Sequence, residues 1–170
     1  EQSHASHLQS TEEALFLALA GKSVERRKLS HCYQIANHMK DVYADDITLS
    51  VGPGDKLVDF FESALAGAVA DRPGPPPAGD TRLASAGSDP DITAVNAAFA
   101  LAMVERHDLV DADHRLYDFA RVADGASSVS VDSFRRRFRT LARDPSESTY
   151  RKALVDATRE YAATGASVAD

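Results

Sequence analysis

His107, Asp108, Asp111, Asp113, His114 and Asp118 bring two imidazoles and four carboxylates into one short stretch. Those are the ligand types from which a hydrolytic metal site is built. The stretch, however, spans a predicted turn and a helix start, where the helix dipole alone favours acids. His114 and Asp118 stand one helical turn apart, which is also the spacing of a surface pair. The densest basic feature is Arg135, Arg136, Arg137, Arg139 and Arg143, followed by Arg151 and Lys152. Guanidinium forks dock on carboxylate-bearing surfaces through paired hydrogen bonds, while Asp132, Asp144 and Glu147 offer them partners within the chain. Cys32 is the single cysteine, so no intrachain disulfide can form. It falls on an apolar helical stripe, as a small buried hydrophobe does. Residues 124–132 lack the alternating acids and closing glutamate of a calcium loop. No phosphate-cradling glycine loop and no nucleophile elbow occur in the chain. The expectation is a non-catalytic chain with no metal, no cofactor and no small-molecule substrate.

The composition sets the partners such a chain can have. In 170 residues, 26 acids against 19 bases give a net charge of -7, which disfavours nonspecific binding to phosphate backbones. With 44% hydrophobic and 26% charged residues the chain is that of a soluble globular protein, long enough to bury a core without a disulfide or metal. The apolar runs at 14–20 and 97–104 are far shorter than the roughly 18 residues of a membrane span. The chain begins at Glu1 rather than methionine, as a chain trimmed at its front would, whether as a processed organellar protein or otherwise.

Helical periodicity positions these residues, and strand alternation is almost absent. Ser10-Thr11-Glu12-Glu13 reads as a capping box opening a helix with Leu15, Phe16 and Leu19 on its apolar side, closed by Gly21. A second helix is predicted from Ser23 to about Tyr43, burying Leu29, Cys32, Ala36, Met39 and Tyr43. Gly52-Pro53-Gly54 breaks the chain before a third helix carrying Leu57, Phe61, Leu65 and Val69. Residues 72–90 are rich in proline and glycine and read as a linker or a binding arm. Asp91 is the expected N-cap of a fourth helix running to about His107. A fifth is predicted from about Asp111 to Ala123, and a sixth from Val131 to Ala142 with Phe134, Phe138 and Leu141 inward. A seventh opens at Asp144-Pro145 and buries Tyr150, Leu154, Ala157 and Tyr161. The result is an all-α chain of about seven helices in one domain. Its expected parts are a first hairpin at 10–46, a single helix at 55–70, a second hairpin at 91–125 and a third at 129–170.

Gly87, Gly125 and Gly165 recur at intervals of about forty residues. Residues 90–119, PDITAVNAAFALAMVERHDLVDADHRLYDF, resemble a pentatricopeptide repeat, and residues 129–170 look like a degenerate second copy. A tetratricopeptide-like or plain helix-bundle arrangement fits the same pattern. In the RNA-reading members the fifth and last positions of each unit select a base. The resemblance places these at Asn96 with Ser128, and Ser133 with Asp170, where only half of each pair is the expected type. Two or three units and an acidic charge make RNA a weak partner. The chain is also similar to the small helical-repeat accessory subunits on the catalytic head of mitochondrial ATP synthase in trypanosomes and euglenids. That resemblance implies an adaptor docked on a larger protein complex, in the mitochondrion or otherwise the cytoplasm, and the arginines of the sixth helix are the expected contact. Arg26 and His31 match the arginine, four residues, histidine spacing of HEPN-type ribonucleases, where such a pair moves a proton at phosphate. A small helical hydrolase, of that type or metal-dependent, is the enzymatic alternative.

Overall fold

In the computed structural model the described residues are 2–71 and 89–164, with side chains from Thr11 onward. Most of the predicted 72–90 linker and the code position Asp170 lie outside them. The described residues hold seven helices and no strand: α1 (Gln2–Leu19), α2 (Arg26–Val51), α3 (Asp55–Ala70), α4 (Pro90–Arg106), α5 (Arg115–Asp124), α6 (Val131–Arg139) and α7 (Glu147–Ala163). The all-α class is as expected from the 3.6-residue period. None of these helices is long and apolar enough to cross a membrane.

The helix ends depart from the sequence reading for local reasons. Ser10-Thr11 opens nothing, because α1 already runs from Gln2, and Thr11 is buried in mid-helix. Gly21 closes α1 with φ 74°, a left-handed geometry that glycine adopts without steric cost. α2 continues through Asp45-Asp46-Ile47-Thr48 to Val51, and the break falls where Gly52-Pro53-Gly54 leaves no helix-forming residue. Asp89, not Asp91, caps α4: its carboxylate accepts from the Asp91 N–H at 2.9 Å with Pro90 at the first helical position. α5 starts at Arg115 rather than Asp111, capped by His114. Ser146 caps α7, accepting from the Thr149 N–H at 3.2 Å. Leu141 lies beyond the end of α6 and is only half-buried.

The chain forms two compact units where a single domain was expected, Glu1–Gly52 with Arg137–Asp170 and Pro53–Arg136. In the first, α1 lies chiefly along α7, and α2 also packs on α7, while α1 and α2 touch only lightly. Ala14, Leu15 and Ala18 of α1, Ile35, Ala36, Met39 and Val42 of α2, and Leu154, Ala157 and Tyr161 of α7 are buried. The first and third expected hairpins are therefore not the principal pairings, since burying the α7 face requires both N-terminal helices. His31 pairs with Tyr161 and Tyr43 with Tyr150, so α2 and α7 run antiparallel. In the second unit α4 packs on α5 as predicted, and α3 packs on both. α4 is buried from Ile92 to Val104 except at Asn96, which is half-buried. Phe61 of α3 meets Phe99 of α4 edge to face at 5.7 Å.

Candidate functional site

The residues 14–20 are apolar without interruption, and a helix advancing about 100° per residue cannot turn all of them to one side. α1 resolves this by burying Ala14, Leu15 and Ala18 and leaving Phe16 75% and Leu17 51% exposed. Across the Gly21 turn, α2 leaves Leu29 and Tyr33 partly open as well. Because α1 and α2 both lean on α7 and barely on each other, an open cleft of about 710 Å³ remains between them. Phe16, Leu19, Val24, Leu29 and Tyr33 line it, and Glu12 and Lys22 bring charge to it. Neither charge has an ion-pair partner among the described residues. The sequence reading placed Phe16 and Leu29 in the core and did not single out Tyr33. The uninterrupted apolar run was the signal for the first of these.

The arginines of α6 are largely satisfied within the protein. Arg135 donates to Glu105 at 2.9 Å and also pairs with Asp132. Burial works against its charge, and attraction to Glu105 and Asp132 outweighs that, so its pKa is raised. Arg136 meets Asp132 at 3.2 Å, and the Arg137 Nε donates to Glu160 at 2.5 Å. Arg139 and Arg143 are exposed. Asp132 is one of the partners expected from the sequence, whereas Glu105 and Glu160 come from α4 and α7, beyond the reach of a local pattern. The basic run of the sequence is thus, for Arg135, Arg136 and Arg137, a set of internal ion pairs.

The histidines and carboxylates at 107–118 are not gathered on one point, and no metal-holding group of three occurs among the described residues. Asp108 takes a left-handed turn conformation (φ 50°), and Asp118 pairs with Arg121 at 2.8 Å. His114 accepts from the Leu116 N–H at its Nδ1, 3.4 Å away, and turns Nε2 to the Glu62 carboxylate at 3.2 Å. Glu62 also takes Arg115, whose hydrogen bond holds the Glu62 carboxyl below its ordinary 4.5. Ser128, an expected base-reading position, spends its N–H and hydroxyl on Asp91 at 2.9 and 3.0 Å. The Ser133 N–H goes to Ser130 Oγ at 3.2 Å.

Arg26 and His31 are not presented together. Arg26 is exposed on the first turn of α2, whereas His31 is buried with its Nδ1 2.5 Å from the Tyr161 hydroxyl. Cys32 beside it is fully buried, as expected. Burial pushes its thiol up to about 11, against a smaller opposing pull from Lys28.

No curated protein and no solved structure matches the chain. A family match does cover nearly its whole length: over residues 1–163 the chain belongs to DUF5781, a family of unknown function.

Proposed function

We propose that this protein is a non-catalytic binding subunit whose protein-docking surface is the cleft between α1 and α2. The observation that carries this reading is the cleft itself: two aromatic rings and a leucine left open to solvent around about 710 Å³. Exposed apolar surface of this kind has a cost in water that a partner removes. Open aromatic anchors beside a groove are the parts from which a contact surface takes most of its binding energy. Arg143 is exposed and can add charge to a contact, but Arg135, Arg136 and Arg137 are already paired. A larger complex, including the catalytic head of a mitochondrial ATP synthase as the resemblance implies, is the assembly this reading proposes for it. Native co-purification with in-cell crosslinking tests it. Wild-type chain is expected in an assembly larger than itself, and Phe16→Glu and Tyr33→Glu should each remove it. If both variants keep every association of the wild type, the cleft is not a docking surface.

A further inference from the structure

The outer face of α1 reads Glu12, Phe16, Leu19, at helical spacings of four and three, and Lys22 follows at the turn, where its N–H closes on the Leu19 carbonyl at 3.0 Å. An acid and a base without ion-pair partners among the described residues therefore bracket an open apolar stretch, ten residues apart and thus separated by at most about 15 Å along the helix direction. This pattern is its own complement under a two-fold axis. An isologous interface brings residue i of one copy to residue j of the other and j to i. With the axis through the middle of that stretch and the two α1 helices antiparallel, Glu12 of each copy faces Lys22 of the other, and the Phe16 rings enter the apolar stretch from both sides.

We infer that the occupant of the α1–α2 cleft is a second copy of this chain, so that the protein is a two-fold dimer closed by α1. The inference rests on the cleft being a contact surface, as proposed above, and names what fills it. A stable interface covers roughly 800 Å² on each partner, which the outer faces of α1 and α2 must supply together. The buried centre is Phe16, Leu29 and Tyr33, and the rim is the reciprocal Glu12 and Lys22 pair.

Sedimentation velocity on the purified full chain, across micromolar concentrations and at two salt levels, tests this. Wild type is expected to be dimeric and Phe16→Glu monomeric, with unchanged helicity because the side chain is mostly exposed. Glu12→Lys alone and Lys22→Glu alone should each weaken the dimer about tenfold, since both rim pairs become repulsive. Glu12→Lys combined with Lys22→Glu should restore it. An equimolar mixture of the two single variants should form the mixed dimer in preference to either parent. A monomeric wild type overturns the inference, and so does a dimer that Phe16→Glu and the charge reversals leave unchanged. If wild type is monomeric alone while Phe16→Glu abolishes its in-cell assembly, the second copy is the wrong occupant and the docking surface stands. If Phe16→Glu and Tyr33→Glu change no association of any kind, both fall.

Discussion

His31 and Tyr161 sit on helices at opposite ends of the chain and meet in a buried hydrogen bond, 2.5 Å long, within the first unit. Removing the hydroxyl takes the partner from His31 Nδ1 without opening a large cavity. Tyr161→Phe is therefore expected to cost about 1–3 kcal/mol in urea denaturation, the penalty for a buried polar atom deprived of its bond. Two other buried groups of the same unit respond to alkaline pH. Burial raises the Cys32 thiol from 9.0 to about 11, and burial with the adjacent Tyr43 raises the Tyr150 phenol from 10.0 to about 12. A group whose pKa is higher folded than unfolded keeps its proton longer in the native chain, so the unfolded chain loses it first. The stability tied to Cys32 is whole below about pH 9 and declines as pH rises to about 11, and that tied to Tyr150 declines from about pH 10 to about 12. Urea midpoints taken from neutral to alkaline pH should fall across that window. Cys32→Ala should flatten the lower part of the fall and Tyr150→Phe the upper part.

The helices themselves were legible because each apolar stripe of α7, and the core of α4, repeats at three and four residues, a spacing that does not depend on what the stripe packs against. Their ends were less so. Asp89 and Asp91 both stand near Pro90, and the sequence does not show which carboxylate turns back on the helix. Asp89 takes the cap, while the Asp91 carboxylate accepts from the Ser127 hydroxyl and from the Ser128 N–H and hydroxyl, tying the start of α4 to the turn after α5. The two aspartates should therefore respond differently. Asp89→Ala removes one cap bond and is expected to cost about 1 kcal/mol. Asp91→Ala removes a charged acceptor from three donors and should cost more, about 1–3 kcal/mol. Amide exchange of the Ser128 N–H should accelerate in Asp91→Ala and stay near wild type in Asp89→Ala. Equal losses in both, with Ser128 unaffected, would mean that the turn holds without Asp91. The candidate cleft was hidden for a related reason. Periodicity marks the apolar residues of α1 and α2 but not how much of each face α7 leaves uncovered.

Pairing is the property that periodicity cannot supply at the level of the whole chain. Sequence neighbours were expected to form hairpins, and α4 with α5 does, but α1 and α2 find their principal partner in α7, more than a hundred residues away. The buried faces explain the choice. Tyr150, Leu154, Ala157, Thr158 and Tyr161 make α7 apolar over a stripe wide enough to need two helices, and Arg151 adds a bond to Glu147 and a pair with Glu13 of α1 at 3.4 Å. One unit is thus assembled from both ends of the chain, while the other is a continuous stretch. This separates their dependence on the C-terminus. A chain shortened to end at Arg143 lacks all of α7, so α1 and α2 lose the helix that buries Ala14, Leu15, Ile35 and Met39. Packing, more than intrinsic propensity, stabilises helices of this length, so the amides of α1 and α2 should exchange at close to unfolded rates. The continuous unit keeps the α4–α5 packing, the Phe61–Phe99 contact and the Asp91 bonds, so slow exchange should persist at residues 92–104. Hydrogen exchange read by mass spectrometry on the shortened chain compares the two segments within one molecule. Slow exchange surviving in α2 would show that α7 is not what holds it, whereas loss of protection everywhere would show that the continuous unit does not persist without the other.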